Sequence, residues 1–422
     1  MLFVTLIATA ILGLGLASYL RMVSTQNYSV ARSQAWNRAI PVLEAGIEEA
    51  MAQINKSTSA ASFVANGWTL VGTNYVKKRG LGDEAYVVKV STAANPVIES
   101  EGFSPIPLAT GEFVSRRVRA TTRSSSMFTK AMAADGGINL NGNNVRTDSF
   151  DSTDPLYSNN GRYDSTRRKA NGDVATNGDV LNIGNADIMG RVSTGPGGAV
   201  NLQNNGSVGD LAWHTGGNSG IQPGYVTDDM NVDFPEVTAP YLIGLPPLAG
   251  SVGGTNYSYV LSGTGTQYSM SSLSLSGNGS GNRVMVTGDV SLYVSGSVSI
   301  SGQAGIIIAP NARLRMYVAG ASTSLGGNGV MNSNASATNF SYYGLPSNTS
   351  VTFNGNAAFT GTIYAPQAAL SLGGGGNNAY DFVGASVSRT VSMNGHFNFH
   401  YDEALGRMGN DGGFVVASWN EL

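Results

Sequence analysis

"FTGTIYAPQAALSLGG" at residues 359–374 and "FVGASVSRTVSMNG" at 382–395 are two versions of one pattern. Each begins on Phe, carries Gly two residues later, and then alternates apolar with small polar residues up to a closing turn. The same habit spreads outward from this pair. "GNADIMGRV" at 184–192 returns as "GNAAFTGTI" at 355–363, and "IIAPNA" at 307–312 returns as "IYAPQA" at 363–368. Between them "DVSLYVSGSVSISG" at 289–302 lays down short strands closed by Gly. Short strands that recur without helices read as coils, because one coil cannot bury its apolar face alone and a stack of them can. A jelly roll or sandwich would not need near-copies of one unit. Residues 128–402 are therefore expected to form a right-handed parallel β-helix. Val284, Val286, Val290, Leu292, Val298 and Ile300 should face its core, and asparagines should stack at repeated turns. A Pro-rich excursion is expected at about 210–257, around "PGYVTDDMNVDFPEVTAPYLIGLPP".

Upstream the period changes. "MLFVTLIATAILGLGLASYL" at 1–20 holds no charge, and Arg21 is the first. Beyond it Ile40, Leu43, Ile47, Met51 and Ile54 recur at helical spacing, with Arg38, Glu44, Glu48 and Glu49 mostly off that stripe. One helix over 1–55 would be about 80 Å long, more than a bilayer needs, and Pro41 predicts a kink in it rather than an end. Residues 56–127 alternate as a small antiparallel β region, with Arg116, Arg117, Arg119 and Arg123 on a solvated face and Val118 inward. Residues 403–422 read as a turn and one docked strand ending near Trp419. The fold class expected is α+β.

Composition narrows the function. Charged residues are 12% of 422, and 24 Lys+Arg against 27 Asp+Glu leave a net charge of −3. That supplies no basic surface for nucleic acid. The chain has no cysteine, hence no disulfide and no thiolate metal site. It shows no dinucleotide or phosphate-loop fingerprint with the right flanks and no Ser-His-Asp order, so neither a catalytic set nor a cofactor is expected. Several Asn-x-Ser/Thr sequons occur, including Asn256 and Asn348, and they are uninformative in a chain so rich in Asn and Ser.

Two stretches look chemical. In "NGHFNFHYDEAL" at 394–405, strand alternation puts His396, Asn398, His400 and Asp402 on one side and Phe397, Phe399 and Tyr401 on the other. The two histidine backbones would lie about 13 Å apart, too far for one zinc, so a hydrogen-bonded polar row is the expected role. "DSFDSTDPLYSNNGRYDS" at 148–165 gathers Asp148, Asp151, Asp154 and Asp164. Asp148, Asp151 and Asp154 make a calcium candidate, but their spacing is not that of an EF-hand and Asx-turns account for such residues equally well. Lone His214 reads as a loop residue.

The N-terminus resembles type IV pilin-like proteins of the PilX-type group, through the uncharged start, its amphipathic continuation and "LEAGIEEAMAQIN" at 43–55. The remainder is similar to an uncharacterised domain found behind such N-termini, through "DSFDS" at 148–152, "GNADIMGRV", "TGTIYAPQAALSLGGGG" at 360–376, "NGHFNFHYDEAL" and "ASWNEL" at 417–422. The resemblance implies a prepilin whose basic leader is removed just before the apolar stretch. Its helix would sit first in the inner membrane and then pack against copies of itself in an extracellular filament. Met1, Leu2, Phe3, Val4, Thr5, Leu6, Ile7, Ile11, Leu12, Leu14 and Leu16 would be the assembly helix, and Ile40, Leu43, Ile47, Met51 and Ile54 would pack it on the ectodomain. The partners implied are further copies, pilus-type assembly machinery, the inner membrane and, for adhesion, a surface polysaccharide. Major pilins carry glutamate at the fifth mature position, and Thr5 here implies different electrostatics in the filament core. The alternatives are a secreted β-helix protein that binds or cleaves polysaccharide and is anchored by its helix, or a minor tip subunit.

Overall fold

The computed structural model describes residues 2–422 apart from 108, 125, 143–144, 204, 335, 355–358, 374–379, 395–396 and 408–412. Met1 and His396 lie outside the described residues. The chain forms two compact units, Met1–Ser126 with Met408–Leu422, and Met127–Arg407.

In the first unit α1 (Leu2–Lys56) is one long helix, and Pro41 lies inside it without ending it. A short α2 (Ala60–Ala65) follows, where alternation had suggested only strands, and the Ser59 hydroxyl caps it by accepting the Ser62 N–H. Then come β1 (Thr69–Val71), β2 (Asn74–Leu81), β3 (Glu84–Ser91), β4 (Val97–Pro105) and β5 (Phe113–Ser124). They form an antiparallel meander, and the C-terminal strand Phe414–Glu421 pairs along β5 as the last member.

The second half of α1 packs on this sheet, with Val42, Leu43, Ile47 and Ile54 against Tyr86, Val88, Ile98 and Val118. Ile40 and Met51 are only half-buried. Leu43, Ile47 and Ile54 of the expected stripe are buried, joined by Val42 and by Ala31, Ala35, Ala39, Gly46 and Ala50, small residues that bring the helix close to the sheet. At Gly102 of β4 an added Cβ would lie 2.6 Å from the Ala39 carbonyl oxygen and 2.7 Å from the Leu43 nitrogen. On the face away from α1 Arg117 pairs with Glu101 and Arg119 with Glu99. Arg116, expected on that solvated face, instead shares the helix side with buried Val118: it lies over the Trp36 ring of α1 and pairs with Glu421.

The second unit is a 27-stranded sheet in which most strands pair in parallel with the third strand along the chain. Three columns of aligned residues result, buried along the stack and opening to solvent towards its ends, where Ile221 is exposed. The first reads Tyr259, Val284, Ile306, Val330, Phe359, Phe382, Phe399, Thr147, Ile188, Val208, Ile221. The second reads Tyr268, Leu292, Met316, Tyr342, Ile363, Ser386, Met132, Val174, Val192, Val226. The third reads Leu273, Val298, Thr323, Val351, Leu370, Val391, Ile138, Leu181, Val200. The two stretches that share a pattern lie on neighbouring rungs, with Phe359 opposite Phe382 and Gly361 opposite Gly384. Their Phe rings stack at 4.5 Å, and Phe382 stacks on Phe399 at 4.3 Å. The repeated glycine sits where rungs touch, since a Cβ at Gly361 would meet the Phe340 carbonyl oxygen at 2.8 Å and one at Gly190 the Gly172 backbone at 2.7 Å. Asparagines stack where Asn201 Nδ2 donates to Asn182 Oδ1 at 3.0 Å.

The rungs do not stack in chain order. Residues 132–150 lie in mid-stack, and 174–227 continue from them to one end. The chain then restarts at the other end with 255–275 and works back until 397–402 lie on 146–150. The stretch at 210–257 divides accordingly: up to Thr227 it still contributes strands, and 228–247 is a crossover along the outside of the second column. Met230 donates its N–H to Thr194, Val232 its N–H to Asn177, and Tyr364 its hydroxyl to the Pro235 carbonyl. Tyr241 donates its hydroxyl to the Tyr268 carbonyl. Fully extended, residues 230–245 could reach about 50 Å, against about 38 Å for the rungs crossed, so the segment is long enough for the crossover.

Candidate functional site

Two regions carry what function the chain offers. The first is the leading half of α1. Leu2, Phe3, Val4, Leu6, Ile7, Ile11, Leu12, Leu14 and Leu16 are all exposed, from Ile7 at 44% to Leu2 at 85%, and burial starts only at Ala31. An 18-residue window here has mean hydropathy 2.0 and no buried residue, so by length and composition the helix can cross a membrane. Thr5 donates its hydroxyl to the Leu2 carbonyl at 2.8 Å, which returns the hydroxyl to the helix backbone.

The second region joins the two chemical-looking stretches, which sequence spacing had kept apart. Because 397–402 pairs with 146–150, His400 falls opposite Asp148. Nδ1 of the ring lies 2.5 Å from Asp148 Oδ1, and the Tyr163 hydroxyl donates to Asp148 Oδ2 at 2.7 Å. Tyr163, from the loop after 146–150, stacks on the His400 ring with centroids 3.5 Å apart and planes at 19°. Both His400 and Asp148 are buried, so strand alternation correctly put His400 off the inward column but could not show the loop that covers it.

The other carboxylates go elsewhere. Asp151 is held by Arg407 at 2.6 and 2.7 Å and by Thr153. Burial would raise its pKa, but these hydrogen bonds outweigh burial and hold it below the usual carboxylate value. Asp154 accepts the Leu156 N–H in an Asx-turn. Asp402 accepts the Ser152 and Ala404 N–H groups, yet burial dominates and raises its pKa. Among the described residues no three His, Asp or Glu side chains converge to hold a metal. Asp148, Asp151 and Asp154 are thus committed to separate partners. Glu403 takes the Lys169 ammonium, the Ser149 hydroxyl and the Asn171 amide, which ties the loop to the last turn. His214 is not in a loop but in the helix Leu211–Thr215, with Nε2 2.9 Å from the Ile188 carbonyl oxygen. Asn348, in one sequon, is fully buried and donates its amide to the Gly320 carbonyl, whereas Asn256, in another, is exposed.

A family model described as a domain of unknown function (DUF7305) matches residues 256–408. The match starts at the restart of the rung order and stops just past the last rung, leaving 132–227 outside it. No curated protein matches the chain, and no solved structure does.

Proposed function

We propose that the chain is a structural subunit of an extracellular type IV pilus-like filament, polymerising through α1 and displaying the second unit as a right-handed parallel β-helix. The observation that carries this reading is the divided helix: its second half is buried on a sheet, while its first half presents apolar residues that no described residue covers. Apolar surface on that scale calls for lipid or for other helices. A subunit held in the inner membrane and then extracted into a bundle of its own copies meets both in turn. Three unbroken columns of inward residues support the β-helix part, and the absence of a converged catalytic set among the described residues favours display over chemistry. Adhesion is the role such display suits.

Replacing Leu12 or Leu16 with Asp puts a charge into bilayer or bundle, costing about 2.5–3.5 kcal/mol on membrane-insertion scales. Filaments seen by electron microscopy should disappear in either variant, while a chain starting at residue 26 should stay folded and monomeric. Polymerisation of that shortened chain would overturn the reading. Wild-type protein found only as membrane-held monomers would favour the second reading, a helix-anchored β-helix that works on polysaccharide.

A further inference from the structure

Beside the Asp148–His400 pair the second unit holds a pocket of about 450 Å3, walled by Arg146, Asn398 and His400 from the rungs and by Asp164, Ser165 and Arg168 from the loop above them. Its size is that of a small-molecule site, and its lining is mostly polar, with the Tyr163 ring as its apolar part. The cations are under-used. Arg168 is half-buried and makes no hydrogen bond or ion pair with any described residue. Arg146 reaches Asp187 only at 3.6 Å, and its Nε is buried without a partner. A buried guanidinium N–H left unpaired is costly, and an oxyanion that accepts in a bidentate way is the group that pairs it best. The lining is not purely cationic, however. Asp164 accepts the Thr166 N–H and hydroxyl with Oδ1 and has Arg167 no nearer than 4.0 Å from Oδ2, so it has acceptor capacity for a hydroxyl. A carboxylate there repels a bare polyanion and suits a ligand that carries hydroxyls next to its anionic group. His400 is fixed on this wall by Asp148 and by the stacked Tyr163 ring, so the pocket is pre-formed.

We propose that this pocket binds one acidic sugar residue of a polysaccharide. Arg146 and Arg168 hold its oxyanion (carboxylate, sulfate or phosphate), and Asn398, Ser165 and Asp164 hold ring hydroxyls. The site belongs to the displayed unit and does not depend on polymerisation, so it can fail while the filament reading stands, and the reverse.

The test is calorimetric titration of the full-length chain in nonionic detergent with digalacturonate, a sulfated disaccharide, glucose 6-phosphate, neutral lactose, and inorganic sulfate and phosphate. At least one acidic sugar should bind, more weakly as salt is raised, and lactose should not. Arg168→Gln and Arg146→Gln should each weaken that binding at least about tenfold, with the melting temperature of Arg168→Gln unchanged. Asp164→Asn should weaken the sugar but not an inorganic ion. Binding of lactose as tight as any acidic sugar, no binding of any acidic sugar, or indifference to Arg168→Gln would each overturn the proposal. Inorganic sulfate or phosphate binding as tightly as the sugars would reduce the pocket to an ion site and overturn it as well.

Discussion

Gly102 shows how much one missing Cβ decides. Its contacts at 2.6 and 2.7 Å are to the backbone of α1, which cannot swing aside as a flexible side chain would. Gly102→Ala should therefore lift the helix from β4 and destabilise the first unit by about 1–3 kcal/mol, read in denaturant melts followed by Trp68 fluorescence. Glu49 sets the acid limb of the same unit. Burial alone would raise its pKa, but hydrogen bonds from Lys77 and Tyr86 and the charges of Lys77 and Arg79 outweigh burial and lower it below 4.5. A lowered carboxylate contributes stability that is present above its unfolded value and lost as pH falls through the folded one. The Glu49→Gln protein should accordingly be less stable at neutral pH and should lose less on acidification below about pH 4.5, seen in melting temperature against pH. Tyr86 acts at the other end. Burial, and then the Glu49 carboxylate, push its hydroxyl up to about 12, so its contribution is present below its ordinary value of 10.0 and is lost as pH rises through about 12.

Within the second unit, strands depend on their inward column more than on their own propensity. Val290 is fully buried between Thr266 and Leu314, whereas Ser299, a few residues on, is exposed between Ser274 and Ser324. Val290→Asp would bury a charge with no partner and should unfold the neighbouring rungs, while Ser299→Asp should stay within about 0.5 kcal/mol of wild type. Equal effects on the circular-dichroism melt would contradict the column arrangement. The α1 element divides by the same rule. Where α1 meets the sheet its large and small residues alike are buried, and before Ala31 its large residues remain exposed.

At the scale of the molecule, the order of rungs matters most at one seam. The stack is continuous only because 380–402 closes onto 132–150, joining chain segments far apart in sequence. Phe399 sits at that seam between Phe382 and Thr147 and is fully buried. Phe399→Ala should cost about 3–5 kcal/mol and lower amide protection on both sides, in 132–150 and in 359–393. Leu273→Ala lies at an end of the stack and should loosen only its own rung and the next. Hydrogen exchange resolved by peptide distinguishes the two outcomes.

The sequence by itself determined the elements whose signal is local and periodic: one uncharged then amphipathic helix at the start, and short alternating strands with near-copies of one unit afterwards. Both are written in spacing along the chain, and the matched glycines and phenylalanines did mark rungs that touch. Tertiary structure alone decided which residues meet across distance. Leu43, Ile47 and Ile54 of the helical stripe were buried as their spacing implied, but Ile40 and Met51 were only half-buried. Ala31, Ala35, Ala39, Gly46 and Ala50 went under as well, because a helix pressed onto a sheet also selects small residues where the backbones approach. His400 and Asp148 belong to different motifs and read as unrelated, since nothing local encodes that the last rung returns to the first. The seam, the crossover that permits it and the pocket built beside it are all consequences of chain closure, a long-range fact that neither period nor composition carries.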